Sequence, residues 1–172
     1  MINGPRLSKK KLGRRDSDDT VRLDKSCQGA TMPRVSLWFF AVAPIYVLIG
    51  MGFGIFMGAT ENFALAPAHA HLNLIGWVTM ALYGTFYALA REASNKLAWT
   101  VFWLNNAGAA IMFPSLAMVL SFGDGSPFLL PLIVSEFLAL GAMLCFAFSV
   151  WGVLMKSAEA PSVGLLRPTA AE

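Results

Sequence analysis

Four long apolar segments, separated by short links, dominate the pattern of the chain after residue 34. They cover residues 35–58, 68–90, 97–121 and 127–155. A helix rises about 1.5 Å per residue, so roughly 20 apolar residues cross a bilayer core of about 30 Å. Each segment is long enough, and the short links suit antiparallel neighbours. The pattern therefore predicts an all-α fold, an integral membrane four-helix bundle.

The basic residues predict the orientation of this bundle. Nine of the thirteen Lys and Arg lie in residues 1–34, which we interpret as a disordered cytoplasmic tail and not as a cleaved signal. The others lie in the 91–96 link, at Lys156, and in residues 157–172, a predicted C-terminal tail. The other two links contain none, so the positive-inside rule places the N- and C-termini in the cytoplasm, in a bacterial inner membrane.

Composition excludes several classes of function. Apolar residues make up 56% of the chain, above the range of about 45–50% that is typical of soluble domains. The sequence contains no phosphate-binding glycine loop, no Cys/His zinc motif and no pattern of a nucleic-acid-binding surface. We expect the lipid bilayer to be the main partner, with the basic tail near anionic lipid, and we expect no nucleic-acid partner.

The candidate chemistry lies at the start of the second span, where His69 and His71 are the only histidines of the chain. Residues two apart on a helix point about 200° apart, so the two rings leave opposite sides. Both imidazoles therefore cannot bind one metal in the usual helical manner, but each can serve a different centre. The alternative is that both rings lie at the membrane interface, where water satisfies them.

The two sides of the second span differ in character. The side of His69 continues through residues that are small or polar at their tips, apart from one methionine: Asn73, Gly76, Met80, Tyr83, Gly84 and Tyr87. We expect this side to face protein. The side of His71 runs through Leu74, Ile75, Val78 and Leu82. In the first span, the glycines Gly50, Gly54 and Gly58 predict a groove that another helix can approach closely.

The segment HAHLNLIGWVTMALYGTFYALAR, residues 69–91, resembles a histidine-bearing helix of the heme-copper oxidase catalytic subunit, subunit I, most closely its cbb3-type branch. The shared features are the HxH pair, the GW dipeptide and the spaced glycine and tyrosine residues. In that family the pair lies near the outer membrane face, and its two histidines bind two hemes on opposite sides of the helix. The predicted orientation of the second span agrees with this arrangement.

The resemblance implies a heme-binding protein of respiratory or nitrogen-oxide electron transfer. It implies that His69 corresponds to the ligand of the high-spin heme and His71 to the ligand of the low-spin heme. Heme b is the expected cofactor, with Asn73 near it and Trp77 packed against the porphyrin. In an alternative interpretation the chain is an accessory protein for oxidase assembly, and the histidines hold copper or heme transiently.

This chain also departs from the family. The relatives have about a dozen spans in three similar four-helix arcs, with further histidines that are missing here. We therefore do not expect oxygen-reducing oxidase activity of the lone chain, although a role as an oxidoreductase component stays open. Since this chain has the size and direction of one such arc, we expect a homo-oligomer, or assembly with other respiratory membrane subunits. A further alternative is a structural membrane subunit without a cofactor.

Polar residues inside the third and fourth spans are the last candidates. Glu136 lies about 13 Å from the outer end of the fourth span, where an ionised carboxylate is costly, so it should face the bundle or a partner. It is interpreted either as a proton-relay group or a partner for a histidine or a cofactor, or else as a neutral acid hydrogen-bonded within the bundle. Asn105 and Asn106 are expected to bridge helices by hydrogen bonds.

Overall fold

The computed structural model describes residues 31–123 and 126–159, and all regular structure in these two stretches is helical. The fold class predicted from the apolar pattern is therefore confirmed at the level of four helices that are long and apolar enough to cross a membrane. Most of the predicted N-terminal tail, and all but the first three residues of the predicted C-terminal tail, lie outside the described residues.

The four long helices are α1 (Arg34–Thr60), α2 (Ala66–Leu89), α3 (Lys96–Phe122) and α4 (Leu129–Glu159). Each of their ends lies within four residues of the corresponding predicted span. A single 3-10 turn, Arg91–Ala93, lies between α2 and α3. Local sequence therefore fixes the length of every helix, as expected when apolar length is the main signal.

Local hydrogen bonds determine where the helices begin and end. The side chain of Asn95 accepts a hydrogen bond from the backbone N–H of Leu97 at 2.8 Å and caps the start of α3. At the end of α1, Glu61 adopts a left-handed conformation (φ 52°), and its N–H reaches the carbonyl of Gly58. Pro67 lies in the first turn of α2, where its missing N–H leaves no hydrogen bond unmade.

Helix α2 is not a regular α-helix. Its first turn and a half, Ala66–His71, and its second half, Met80–Leu89, are α-helical, whereas Leu72–Thr79 between them form a π-helix. The hydroxyl of Thr79 donates to the carbonyl of Leu74, five residues back, at 2.8 Å. A π segment adds about one residue per turn and is frequent at functional sites. Periodicity based on a uniform α-helix did not predict this widening.

An aromatic cluster forms the core in the half of the bundle that contains the second half of α2. The ring of Phe39 lies 5.2 Å from that of Phe102 and 5.8 Å from that of Tyr83, and Tyr83 lies 4.5 Å from Phe146. The hydroxyls of Tyr87 and Ser149 are 3.0 Å apart and join α2 to α4. Rings from all four helices therefore fix the bundle at this end.

The perimeter of the bundle is apolar. Large side chains point outward along every long helix, for example Leu48 at 66% exposure, Leu82 at 62%, Trp103 at 65% and Phe148 at 70%. A water-soluble protein of this size does not expose so much contiguous apolar surface. The long apolar helices and their apolar outer faces together identify a multi-pass membrane protein.

Candidate functional site

Helix α2 divides sharply into a buried and an exposed face. The buried face contains Ala68, Leu72, Gly76, Met80, Tyr83, Gly84 and Tyr87. Up to Met80 these residues recur at every fourth position, a wider spacing than the α-helical average and consistent with the π segment. The prediction that the His69 side faces protein is confirmed for its glycines, its methionine and its tyrosines.

Two glycines of α1 accept side chains from α2 at the histidine end. A Cβ added to Gly50 would overlap the amide of Asn73, and one added to Gly54 would lie 3.0 Å from Cε1 of His69. The predicted glycine groove is therefore confirmed at these two positions. Nothing lies within 4 Å of such an atom at Gly58, so the groove does not extend that far.

The ring of His69 is half-buried and directs its nitrogen-bearing edge at α1. A Cβ at Gly54 would be 3.0 Å from Cε1 and 3.6 and 3.7 Å from the two ring nitrogens, so the vertex between the nitrogens points at Gly54. The Nδ2 atom of Asn73 lies 3.2 Å from Nε2 and 3.4 Å from Nδ1 of the same ring. Iron binding by His69 would require Asn73 and α1 to move away.

Asn73 is held in place by the backbone. Its Nδ2 donates to the carbonyl of His69, four residues earlier, at 3.0 Å. The remaining N–H of this amide is therefore free to face the His69 ring. His69 and Asn73 of α2 form one contact with two glycines of α1. We call this contact the His69 clasp, and it consists of Gly50, Gly54, His69 and Asn73. Its geometry is that of helix packing by small residues and polar side chains.

His71 has the opposite surroundings. Its side chain is exposed, and its Nδ1 lies 2.8 Å from the carbonyl oxygen of Pro67. A carbonyl only accepts, so this contact is a hydrogen bond only if Nδ1 is protonated. The lone pair of the neutral ring then lies on Nε2. This arrangement, one ring nitrogen donating to a backbone carbonyl and the other free, orients histidines that bind metals.

An apolar stripe accompanies His71 along the exposed face of α2. It consists of Leu74, Trp77, Val78 and Leu82, which are 59%, 42%, 38% and 62% exposed. Trp77 is exposed like His71, whereas the half-buried Asn73 belongs to the clasp. The π segment contains the first three residues of this stripe. An exposed imidazole beside such a surface fits one face of a flat apolar macrocycle with a metal at its centre.

The two asparagines of α3 bridge helices by hydrogen bonds, as predicted. Asn105 donates from Nδ2 to the carbonyl of Ile75, in the π segment, at 3.1 Å. The hydroxyl of Tyr46 lies 3.3 Å from Oδ1 of Asn106 and joins α1 to α3. The ring of Tyr46 also packs on Gly76, where an added Cβ would be 2.7 Å from its Cγ. These contacts fix the π segment in the bundle.

Glu136 is exposed on the perimeter of α4, about 10 Å from the start of that helix by the helical rise. Within the described stretches 31–123 and 126–159 its carboxylate has no hydrogen-bond partner and no ion pair. The alternative of a neutral acid hydrogen-bonded within the bundle is therefore wrong. A partner outside this chain stays the prediction for Glu136, and the structure does not connect it to the histidines.

No group of three or more His, Cys, Asp or Glu side chains converges anywhere in residues 31–123 and 126–159. A copper site with three protein ligands is therefore not formed by the described part of one chain. A single histidine suffices as the protein ligand on one side of a heme iron, because the porphyrin nitrogens supply all the in-plane ligands.

No protein-family model, no curated protein and no solved structure matches the chain. The resemblance of residues 69–91 to the heme-copper oxidase helix therefore stays a prediction.

Two residues of the site were not predicted from the sequence. Pro67 supplies the carbonyl that orients His71, and Tyr46 packs on the π segment. The spacing of Pro67, four residues before His71, could have identified the first, since a helical side chain can reach the carbonyl four residues back. No local signal identifies Tyr46, because its contacts are with α2 and α3.

Proposed function

We propose that this chain is a heme b protein of a bacterial inner membrane that serves respiratory or nitrogen-oxide electron transfer, with His71 as the iron ligand. One observation supports the proposal above all: the exposed His71 ring has its Nδ1 2.8 Å from the Pro67 carbonyl oxygen, and no residue of the described stretches 31–123 and 126–159 hydrogen-bonds to its Nε2. The resemblance of residues 69–91 to subunit I of the heme-copper oxidases points to the same cofactor. Heme iron, when bound, supplies a centre that changes oxidation state by one electron.

The residues around His71 have separate roles in this proposal. The Pro67 carbonyl holds the ring in one tautomer and makes its free nitrogen a better donor. The exposed side chains of Leu74, Trp77 and Val78 would cover the apolar macrocycle and exclude water from it. The His69 clasp does not bind the cofactor in our proposal. It packs α2 against α1, and this assignment replaces the ligand role that the resemblance implies for His69.

The proposed orientation is N- and C-termini in the cytoplasm. Among the described residues, Arg34, Arg91, Lys96 and Lys156 all lie at the ends of the spans that this orientation places inside. Glu61, in the link between α1 and α2, lies at the opposite end. This distribution follows the positive-inside rule and puts His71 near the outer face.

The test is a reduced-minus-oxidised visible spectrum of the full chain, purified in detergent, with heme quantified as its pyridine complex. We expect the spectrum of a b-type cytochrome. The His71→Ala variant should bind heme at least about tenfold more weakly, because it loses the ligand itself. The matched control is His69→Ala, which removes the same side chain two residues away and should keep the spectrum.

Three results would contradict this assignment. A wild-type protein that is colourless, also after hemin is supplied, would exclude heme and favour a structural subunit. Substoichiometric, exchangeable copper on a colourless protein would favour the accessory protein for oxidase assembly. A heme spectrum that disappears in His69→Ala and persists in His71→Ala would place the ligand in the clasp.

A further inference from the structure

We infer that the heme is shared by two copies of this chain, with His71 of each copy binding one face of the iron across a two-fold axis. The inference rests on the proposed heme function and adds to it the identity of the partner and of the second ligand. It follows from three features of α2: the number of free donors, their place on the perimeter, and the shape of the surrounding surface.

The first feature is the number of donors. Electron-transfer hemes with histidine ligation use two axial ligands, one on each face of the iron. His69 and His71 are the only histidines in the sequence, and the nitrogen-bearing edge of His69 points at Gly54 inside the clasp. One chain therefore offers one free imidazole nitrogen. A second copy supplies a second imidazole of identical geometry.

The second feature is the position of His71 on the outside of the bundle. A heme bound there has one face on α2 and the other face outside the chain. A protein partner on that side excludes both water and headgroups from the iron and makes the site complete. Two-fold pairs are the commonest symmetric assemblies, and they place the same residue of both copies about one axis.

The third feature is the surface on either side of His71. Ala70 and Pro67 are exposed beside it, and their small or compact side chains allow a second copy to come close. Leu74, Trp77 and Val78 continue the exposed face away from these residues. Related by a two-fold axis, two such faces enclose a flat apolar molecule between identical walls.

Stoichiometry and spin state test the inference on the purified full chain. We expect one heme for every two chains and the low-spin spectrum of a six-coordinate heme. Chains with two different affinity tags, expressed together, should co-purify when heme is bound and separate when it is extracted. One heme per chain, or a low-spin heme on a particle with the mass of one chain, would overturn the inference and leave the proposed function intact.

A mixed pair gives the sharper test. A wild-type chain and a His71→Ala chain, each with its own tag, are isolated together through both tags. We expect this pair either to lose its heme or to hold it as a five-coordinate, high-spin species that added imidazole converts to low-spin. The matched control, a wild-type chain paired with His69→Ala, should stay low-spin without imidazole.

A low-spin heme in the His71→Ala mixed pair without imidazole would show that the second ligand is not His71 of the second copy, and it would overturn the inference. A colourless wild-type protein is a different result, since it refutes the proposed function itself. The two failures are therefore distinguishable in one set of preparations.

Discussion

The two faces of helix α2 place the same residue type in opposite environments. His69 lies half-buried against Gly54, with both ring nitrogens close to Asn73, whereas His71 is exposed, with one nitrogen bound to the Pro67 carbonyl. Two positions along the helix separate a side chain that joins helices from one that is free to bind a ligand. Residue type alone therefore does not assign a function to a histidine in a membrane helix. The direction in which the lone pair of the imidazole points assigns the function.

The difference between the buried and the exposed face extends along the whole of helix α2. On the buried face, Met80 and Tyr87 are fully buried and contact α3 and α4 or lie among the core rings. On the exposed face, Leu74 and Leu82 are about three-fifths exposed and do not belong to the buried core cluster. We therefore expect substitutions on the buried face to change the stability of the free protein, and substitutions on the exposed face to change heme binding and pairing.

Gly76→Leu should have the largest effect on stability. A Cβ at this position would lie 2.7 Å from the ring of Tyr46, so a leucine must push α1 away from the π segment. We expect a loss of about 3 kcal/mol in the free energy of unfolding, or failure to fold. The measurement is unfolding in mixed micelles followed by circular dichroism. Gly52→Leu is the control, because nothing lies within 4 Å of a Cβ there, and an equal loss would contradict this packing.

Met80→Ala should come next. This side chain is fully buried, and truncation leaves a cavity beside the core rings. We expect a loss of about 2 kcal/mol, the lower end of the range for such substitutions. Leu82→Ala, two residues away and 62% exposed, should change stability by less than about 0.5 kcal/mol. Similar losses for the two variants in the same unfolding assay would disprove the division into two faces.

The two histidine variants should separate again when stability is measured without heme. His69→Ala removes the ring from the clasp and leaves the Asn73 amide with one partner fewer, so we expect a loss of about 1 kcal/mol. His71→Ala should leave the stability of the heme-free protein unchanged, since the ring is exposed. For heme binding we expect the opposite order, with the larger loss in His71→Ala. A heme-free protein equally sensitive to both changes would argue against a clasp.

Trp77→Ala should have the smallest effect, and only on the loaded protein. The indole is 42% exposed in the stripe beside His71, so its loss should hardly change the heme-free protein. If it packs against the porphyrin, its removal should cost about 1 kcal/mol, or about fivefold faster heme release to apomyoglobin. Trp103→Ala is the control: Trp103 lies on α3 and is 65% exposed, and its loss should leave the rate unchanged. Equal rates for all three proteins would remove Trp77 from the site.

Sequence alone determined the number of helices, their approximate ends and the division of α2 into two faces. These features depend on apolar length and on the periodicity of side chains along one helix, which are local properties of the chain. The prediction that Met80, Tyr83 and Tyr87 face protein held even though α2 contains a π segment. That the rings of His69 and His71 leave opposite sides of the helix also follows from their spacing of two residues.

Tertiary structure alone decided the chemistry of the two histidines. The His69 ring turns toward α1 because glycines at positions 50 and 54 leave room for it, and its distance from those glycines along the chain gives no local signal of the contact. Likewise, Glu136 proved to be exposed because α4 presents that side to the perimeter, which depends on how α4 packs on α3 and α2. Packing between helices fixes which side chains keep free donor atoms, so it decides which of two identical residues can bind a ligand.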